Sequence, residues 1–126
     1  MKNAPHISDA EWKVMKIAWK KSPILAHEII DALTATTTWS PATIKTLLNR
    51  LIGKGVLEFE KQGKTYLYTP AYTENECRAA EADSFLSRVF DGSLSPMISH
   101  FVKNRKLTSK ELDELEQILK RGRSKK

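Results

Sequence analysis

The sequence predicts a mainly α fold of the α+β class, and three observations predict it. The segment Trp39 to Leu51 opens with a helix-start signal and then repeats apolar residues at helical spacing. Two helical segments precede it and an alternating segment broken by a Gly turn follows, so the order is helix, helix, helix, hairpin. After Tyr72, three more helical segments carry apolar stripes. A chain of 126 residues with 40% hydrophobic and 29% charged content is globular: one domain, or two small ones that share a core or a dimer interface.

Ser8-Asp9-Ala10-Glu11 is a capping box, so the first helix begins near residue 8. Trp12, Met15, Ala18 and Trp19 mark its buried face, and Pro23 interrupts it. Ile24 is placed to add a short strand. A second helix is expected from Ala26 to Thr34, burying Ile29, Ile30 and Leu33. The run Thr34 to Thr38 is poor for helix and reads as a turn. Ser40 is a good N-cap and Pro41 a good first residue for the third helix. Ile44, Leu47, Leu48, Leu51 and Ile52 give that helix one apolar face, and Gly55 after Lys54 supplies a left-handed C-cap.

The period then changes from 3.6 to 2. Leu57 and Phe59 alternate with Glu58 and Glu60, Gln62-Gly63-Lys64 is a turn, and Tyr66 and Tyr68 share a face in the returning strand. Lys61 and Lys64 make the hairpin tip basic. This is the order of a winged helix-turn-helix head with a small two-stranded wing, expected over residues 1–71. In that class the later helix of the turn pair enters the major groove and the flanking elements grip the backbone.

Thr73-Glu74-Asn75-Glu76 is a second capping box and Thr108-Ser109-Lys110-Glu111 a third. Between and after them lie three helices, expected to form a dimerisation domain over residues 72–120. Their apolar stripes are Phe85, Leu86, Val89 and Phe90; then Leu94, Met97, Ile98, Phe101 and Val102; then Leu112, Leu115, Ile118 and Leu119. These helices either fold back on the head or pair with a second copy. The homodimer is preferred, because so small a unit struggles to bury such faces alone and a winged head gains affinity from two half-sites. The basic run from Arg121 to Lys126 is expected to be a disordered tail.

The net charge is +6. Residues 1–72 carry ten Lys/Arg against six Asp/Glu, while in residues 73–126 five of eleven cations sit in the last run from Lys120. The basic surplus therefore lies on the N-terminal half and the tail, which fits an anionic partner for the head, although excess charge also serves solubility. The polar face of the third helix carries Thr43, Lys45, Thr46, Asn49, Arg50 and Lys54 and no acid. Such a face is either an ordinary solvated surface or one built for phosphates and base edges, and the hairpin beside it favours duplex DNA. Thr43 and Thr46 lie three apart on one face; their methyls can meet thymine methyls and their hydroxyls can bond base edges. Arg50, one turn on, is a candidate for base or phosphate. Lys45, Asn49, Lys54, Lys64, Tyr66 and Trp39 are candidates for the DNA backbone, with core packing as the competing role for Trp39.

Several function classes find no support. There is no Ser/His/Asp set, no phosphate-binding Gly loop and no paired catalytic carboxylates, so no enzyme is expected. Cys77, His6, His27 and His100 are too scattered to hold zinc or copper, and no metal or other cofactor is expected. A single Cys excludes an intrachain disulfide and fits a reducing cytoplasm. Cys77 near a helix start is either a thiol activated by the helix dipole or a plain structural cysteine, and Glu74, Glu76 and Glu81 disfavour the first. No apolar run is long enough for a signal peptide or a membrane span, so a cytoplasmic location without membrane insertion is expected.

With Ser8-Asp9-Ala10-Glu11-Trp12-Lys13-Val14-Met15, the Trp39–Leu51 helix, Lys54-Gly55, His100-Phe101-Val102 and Leu112-Asp113-Glu114-Leu115, the chain resembles the BlaI/MecI family of penicillinase and methicillin-resistance repressors over nearly its whole length. The resemblance implies a homodimeric transcriptional repressor on a pseudo-palindromic operator with TACA/TGTA half-site cores, overlapping promoters of β-lactam resistance genes. It points to Thr43 and Thr46 as base readers. It also implies release by a pathway that starts at a membrane β-lactam-sensing metalloprotease and cuts an Asn-Phe bond in the dimerisation domain. That bond falls at His100-Phe101, where His replaces Asn, so cleavage at this point is open; Phe101 alternatively serves as core. The related CopY copper-responsive branch carries a C-terminal Cys-x-Cys motif that this chain lacks. A repressor of the same architecture answering a small-molecule, metal or redox signal is the alternative.

Overall fold

Local hydrogen bonds set the element boundaries. The computed structural model describes residues 4–105 and 107–124. Helix α1 spans Asp9–Lys20, and its capping box is formed: the Ser8 hydroxyl accepts from the Glu11 amide (3.2 Å) and the Glu11 carboxylate accepts from the Ser8 amide (2.9 Å). Strand β1 is Ile24–Leu25. Helix α2 runs Ala26–Thr36, two residues beyond the end expected at Thr34. The Thr run does not break the helix at Thr34: the hydroxyls of Thr34, Thr36 and Thr37 donate back to the carbonyls of Asp31, Ala32 and Leu33 and so are absorbed within it. Helix α3 spans Pro41–Gly53; Ser40 caps its start, and Gly55 follows it at φ +78°.

Strands β2 (Leu57–Gln62) and β3 (Thr65–Pro70) pair antiparallel, with Gln62 opposite Thr65 across a two-residue turn. Gly63 opens that turn at φ +63°, a conformation that tight hairpins demand and glycine adopts freely. β1 pairs with the other edge of β3, Ile24 opposite Tyr68, so the sheet order is β1-β3-β2. Phe59 and Tyr66 share the face of Leu57 and Tyr68 and meet edge to face at 5.3 Å.

The head's core collects Val14, Met15 and Ala18 of α1, Ile29 and Leu33 of α2, Ile44, Leu47, Leu48 and Leu51 of α3, and Leu57 and Tyr68 of the wing. Each buried Leu or Ile is worth about 1.5–3 kcal/mol, which is what holds α3 against α1 and the sheet. Trp12 and Trp19 are half-buried rather than fully enclosed, with ring centres 5.5 Å apart. The Trp19 indole donates to the Tyr72 carbonyl (2.9 Å), tying the exit of the wing to α1. Cys77 joins this core, and the first compact unit continues past residue 71 to Ser84.

The second unit is Phe85–Lys126. It holds the end of α4 (Glu74–Phe90), α5 (Leu94–Asn104) and α6 (Ser109–Ser124). Thr73 with Glu76, and Thr108 with Glu111, form the two expected capping boxes. Asp91 and Gly92 end α4 in left-handed conformation (φ +52° and +80°), and the Gly92 amide returns to the Leu86 carbonyl. The tail expected to be disordered from Arg121 instead continues α6 as far as Ser124; Lys125 and Lys126 lie outside the described residues. Arg121 and Arg123 stand in the last turn, where the helix dipole favours cations. No described residue of this unit is buried: Phe101 is 40% exposed and Ile118 56%.

Candidate nucleic-acid interface

Helix α3 is sorted cleanly by face. Ile44, Leu47, Leu48 and Leu51 are buried, and Thr43, Lys45, Thr46, Asn49 and Arg50 are exposed on the other side. The Thr46 hydroxyl donates to the Ala42 carbonyl (3.1 Å), which spends its proton inside the helix. Its lone pairs and methyl are left for base edges, as an acceptor and as an apolar contact. The Thr43 hydroxyl lies 3.2 Å from that of the cap, Ser40. Among the described residues no carboxylate lies within ion-pair distance of Lys45, Arg50 or Lys64, so these cations are available to an outside anion.

The fold gathers Lys45 and Asn49 from α3 with Lys64 and Tyr66 from the wing on a single cleft of about 470 Å3. His27, from the first turn of α2, lines the same cleft, with its Nδ1 3.9 Å from an Asp31 carboxylate oxygen. Nothing local in the sequence marks it, since only the packing of α2 beside the wing brings it there.

Lys54 departs from expectation. Its ammonium is bound within the head, to the Glu11 carboxylate (2.5 Å) and the His6 carbonyl (3.0 Å), partners that compete with the DNA-backbone role expected of it. Glu11 is 1% exposed. Burial pushes its carboxyl up, but the hydrogen bonds from Lys54 and the Ser8 amide and the Lys54 charge outweigh this and hold it below the usual carboxylate range. A lysine left without this carboxylate would be free for phosphate; a buried carboxylate left without the lysine would be costly, and the second consideration wins. For Trp39, the structure displays the packing role: the ring is half-buried against the core and the Lys13 ammonium sits 5.4 Å from its centre.

Two further sites resolve differently. Cys77 is 2% exposed, and burial followed by the charge of Glu76 pushes its thiol up, so the activated-thiol role does not fit. His100 and Phe101 lie on exposed α5, with the Asn104 amide donating to the His100 carbonyl (3.0 Å). No group of His, Cys, Asp and Glu among the described residues could hold a metal. Among them, too, no helix is long and apolar enough to cross a membrane.

Three helices, a hairpin wing and an acid-free outer face on the third helix define a winged helix-turn-helix protein of the DNA-binding class. Residues 7–121 match the family model of the penicillinase repressors, and the chain belongs to that family. The penicillinase repressor of Bacillus licheniformis is 44% identical over 126 residues, covering 100% of this chain and 98% of that protein. The methicillin resistance regulatory protein MecI of Mammaliicoccus sciuri is 34% identical over 113 residues, 90% of this chain and 92% of that one. Among solved structures, the DNA-binding domain of the repressor BlaI is 51% identical with a TM-score of 0.55, covering 60% of this chain and 93% of its own. The Bacillus licheniformis BlaI monomeric form in complex with the blaP half-operator matches with 51% identity and a TM-score of 0.54.

Proposed function

We propose that the chain is a homodimeric transcriptional repressor of β-lactam resistance genes, binding a pseudo-palindromic operator with TACA/TGTA-type half-sites. The observation that carries this is the sorted face of α3: four buried apolar residues on one side, and Thr43, Lys45, Thr46, Asn49 and Arg50, with no acid, on the other. Its support from relatives is the B. licheniformis BlaI whose structure holds the blaP half-operator. Thr43 and Thr46 read bases, with Arg50 at the end of the contact. Lys45, Asn49, Lys64 and Tyr66 hold the sugar-phosphate backbone.

The dimer is built from the second unit. Val89, Leu94, Phe101, Val102, Leu112, Ile118 and Leu119 are each 40% or more exposed, and apolar stripes left open on consecutive helices call for a second copy. Phe85, Leu86, Phe90, Met97, Ile98 and Leu115, already partly covered, complete that interface. Joining two heads makes the second DNA contact intramolecular, which multiplies affinity by about 10²–10⁴. Cleavage at His100-Phe101, triggered by a membrane β-lactam-sensing metalloprotease, would remove the end of α5 and all of α6 from the interface and forfeit that gain. α5 must unwind locally for this, and the bond from Asn104 to the His100 carbonyl is one of those to be broken.

Footprinting on the chain's own upstream region tests the reading. A protected palindrome supports it, and protection with no sequence preference contradicts it.

A further inference from the structure

We propose that the cleft between α2, α3 and the wing binds a planar aromatic carboxylate, which competes with DNA phosphate for the same two ammonium groups. The binding claim stands on the cleft alone; only the competition rests on the DNA reading above.

The cleft's volume of about 470 Å3 lies within the range of about 300–1,000 Å3 usual for small-molecule sites. Ile30, Leu48 and Tyr68 supply an apolar floor, with Leu48 and Tyr68 themselves buried. Lys45 from α3 and Lys64 from the wing turn supply two cations with no carboxylate partner among the described residues. Asn49 adds an amide that can donate to a carboxylate oxygen.

This composition selects the ligand class. A phosphodiester satisfies the ammonium groups and leaves the apolar floor unused. An aliphatic hydrocarbon fills the floor and leaves the ammonium groups unanswered. A flat ring bearing a carboxylate does both: the ring lies on Ile30 and Leu48 beside the tyrosines, and the anion reaches Lys45 or Lys64. Tyr66 is held for a ring neighbour by its edge-to-face contact with Phe59 at 5.3 Å. Among the described residues no acid lines the cleft to oppose an anion; Asp31, 3.9 Å from the His27 ring, lies outside the lining.

The test titrates 2-naphthoate, and its uncharged counterpart 2-naphthamide, into the full chain and follows the side-chain methyl NMR signals of Ile30 and Leu48. The expected result is one site per chain with a Kd on the order of 0.1–1 mM. Shifts centre on those two methyls, and affinity falls about fivefold or more both for the amide and for the Lys45→Ala/Lys64→Ala double variant. Absence of saturation at millimolar concentration, or equal binding by the double variant, overturns the proposal. Ile30→Trp, which fills the floor and touches neither lysine, should abolish binding; retained affinity in a folded Ile30→Trp chain also overturns it. Operator duplex is measured in parallel. Naphthoate at ten times its Kd should raise the apparent Kd for a single half-site about elevenfold, and for the palindrome, which needs both clefts empty, about a hundredfold. Duplex binding without naphthoate binding sinks this inference alone, and naphthoate binding without duplex binding sinks the repressor reading while the site stands.

Discussion

Lys54, the C-cap of α3, and Glu11, in the first turn of α1, form an ion pair across 43 residues of sequence, at 2.5 Å and with the carboxylate 1% exposed. Glu11 is at the same time the N3 carboxylate of the α1 capping box. One buried side chain thus satisfies the Ser8 amide at the start of α1 and ties the C-cap of α3 to α1.

Removing the lysine leaves that carboxylate buried without its cation. Lys54→Met is expected to destabilise the head by about 3–5 kcal/mol, nearer the lower figure because the ammonium itself is a third exposed. Chemical denaturation of the two proteins side by side measures it. A loss under about 0.5 kcal/mol, the ordinary effect of a surface substitution, would contradict the role assigned to Lys54.

The same pair makes stability depend on acid. The folded-state pKa of Glu11 is depressed, so its contribution is present above the usual carboxylate range and is lost as pH falls through the lowered folded value. The melting temperature of the wild-type chain should drop on acidification below that range. Glu11→Gln should start lower at neutral pH and show a flatter pH profile.

Gly55 tests the C-cap independently of any charge. Its φ of +78° is one that L residues avoid, while a Cβ there would meet nothing within 4 Å. Gly55→Ala is therefore a pure backbone strain, expected to cost about 1–2 kcal/mol, read as a lower melting temperature.

Base and backbone contacts should separate on mutation. Thr46→Ala should relax preference at one base step by about 1–3 kcal/mol and leave binding to unrelated sequences alone. Lys64→Ala should weaken all duplexes alike and lower the slope of log K against log salt by about 0.9 for each head bound. Binding titrations of operator and scrambled duplexes at several salt concentrations check both.

How much of this was legible in the sequence follows the range of the forces involved. Capping boxes at Ser8, Thr73 and Thr108, the Ser40-Pro41 start and the Gly63 turn are written within four residues, so α1, α3, α4, α6 and the wing could be read directly. The end of α2 is not legible, because Thr hydroxyls can compete with a helix or, as at Thr36, bond back into it, and the sequence does not say which. The partner of Lys54 and the cleft position of His27 come from tertiary packing between distant segments, which periodicity cannot reveal. The head's continuation through Cys77 was hidden for the same reason: the junction signal at Pro70-Ala71-Tyr72 marks where the sheet ends, not where the core does.

The central claim is that two copies of this chain hold two heads on one palindrome. Its most direct measurement is the stoichiometry and affinity of the full chain on a TACA/TGTA palindrome and on a single half-site at fixed salt, with Ile118→Glu as the variant that places a charge on the exposed stripe of α6. Two chains per palindrome are predicted, with half-site binding weaker by about a hundredfold or more and the variant losing most of that difference. One chain per duplex, bound equally well to half-site and palindrome, would contradict it.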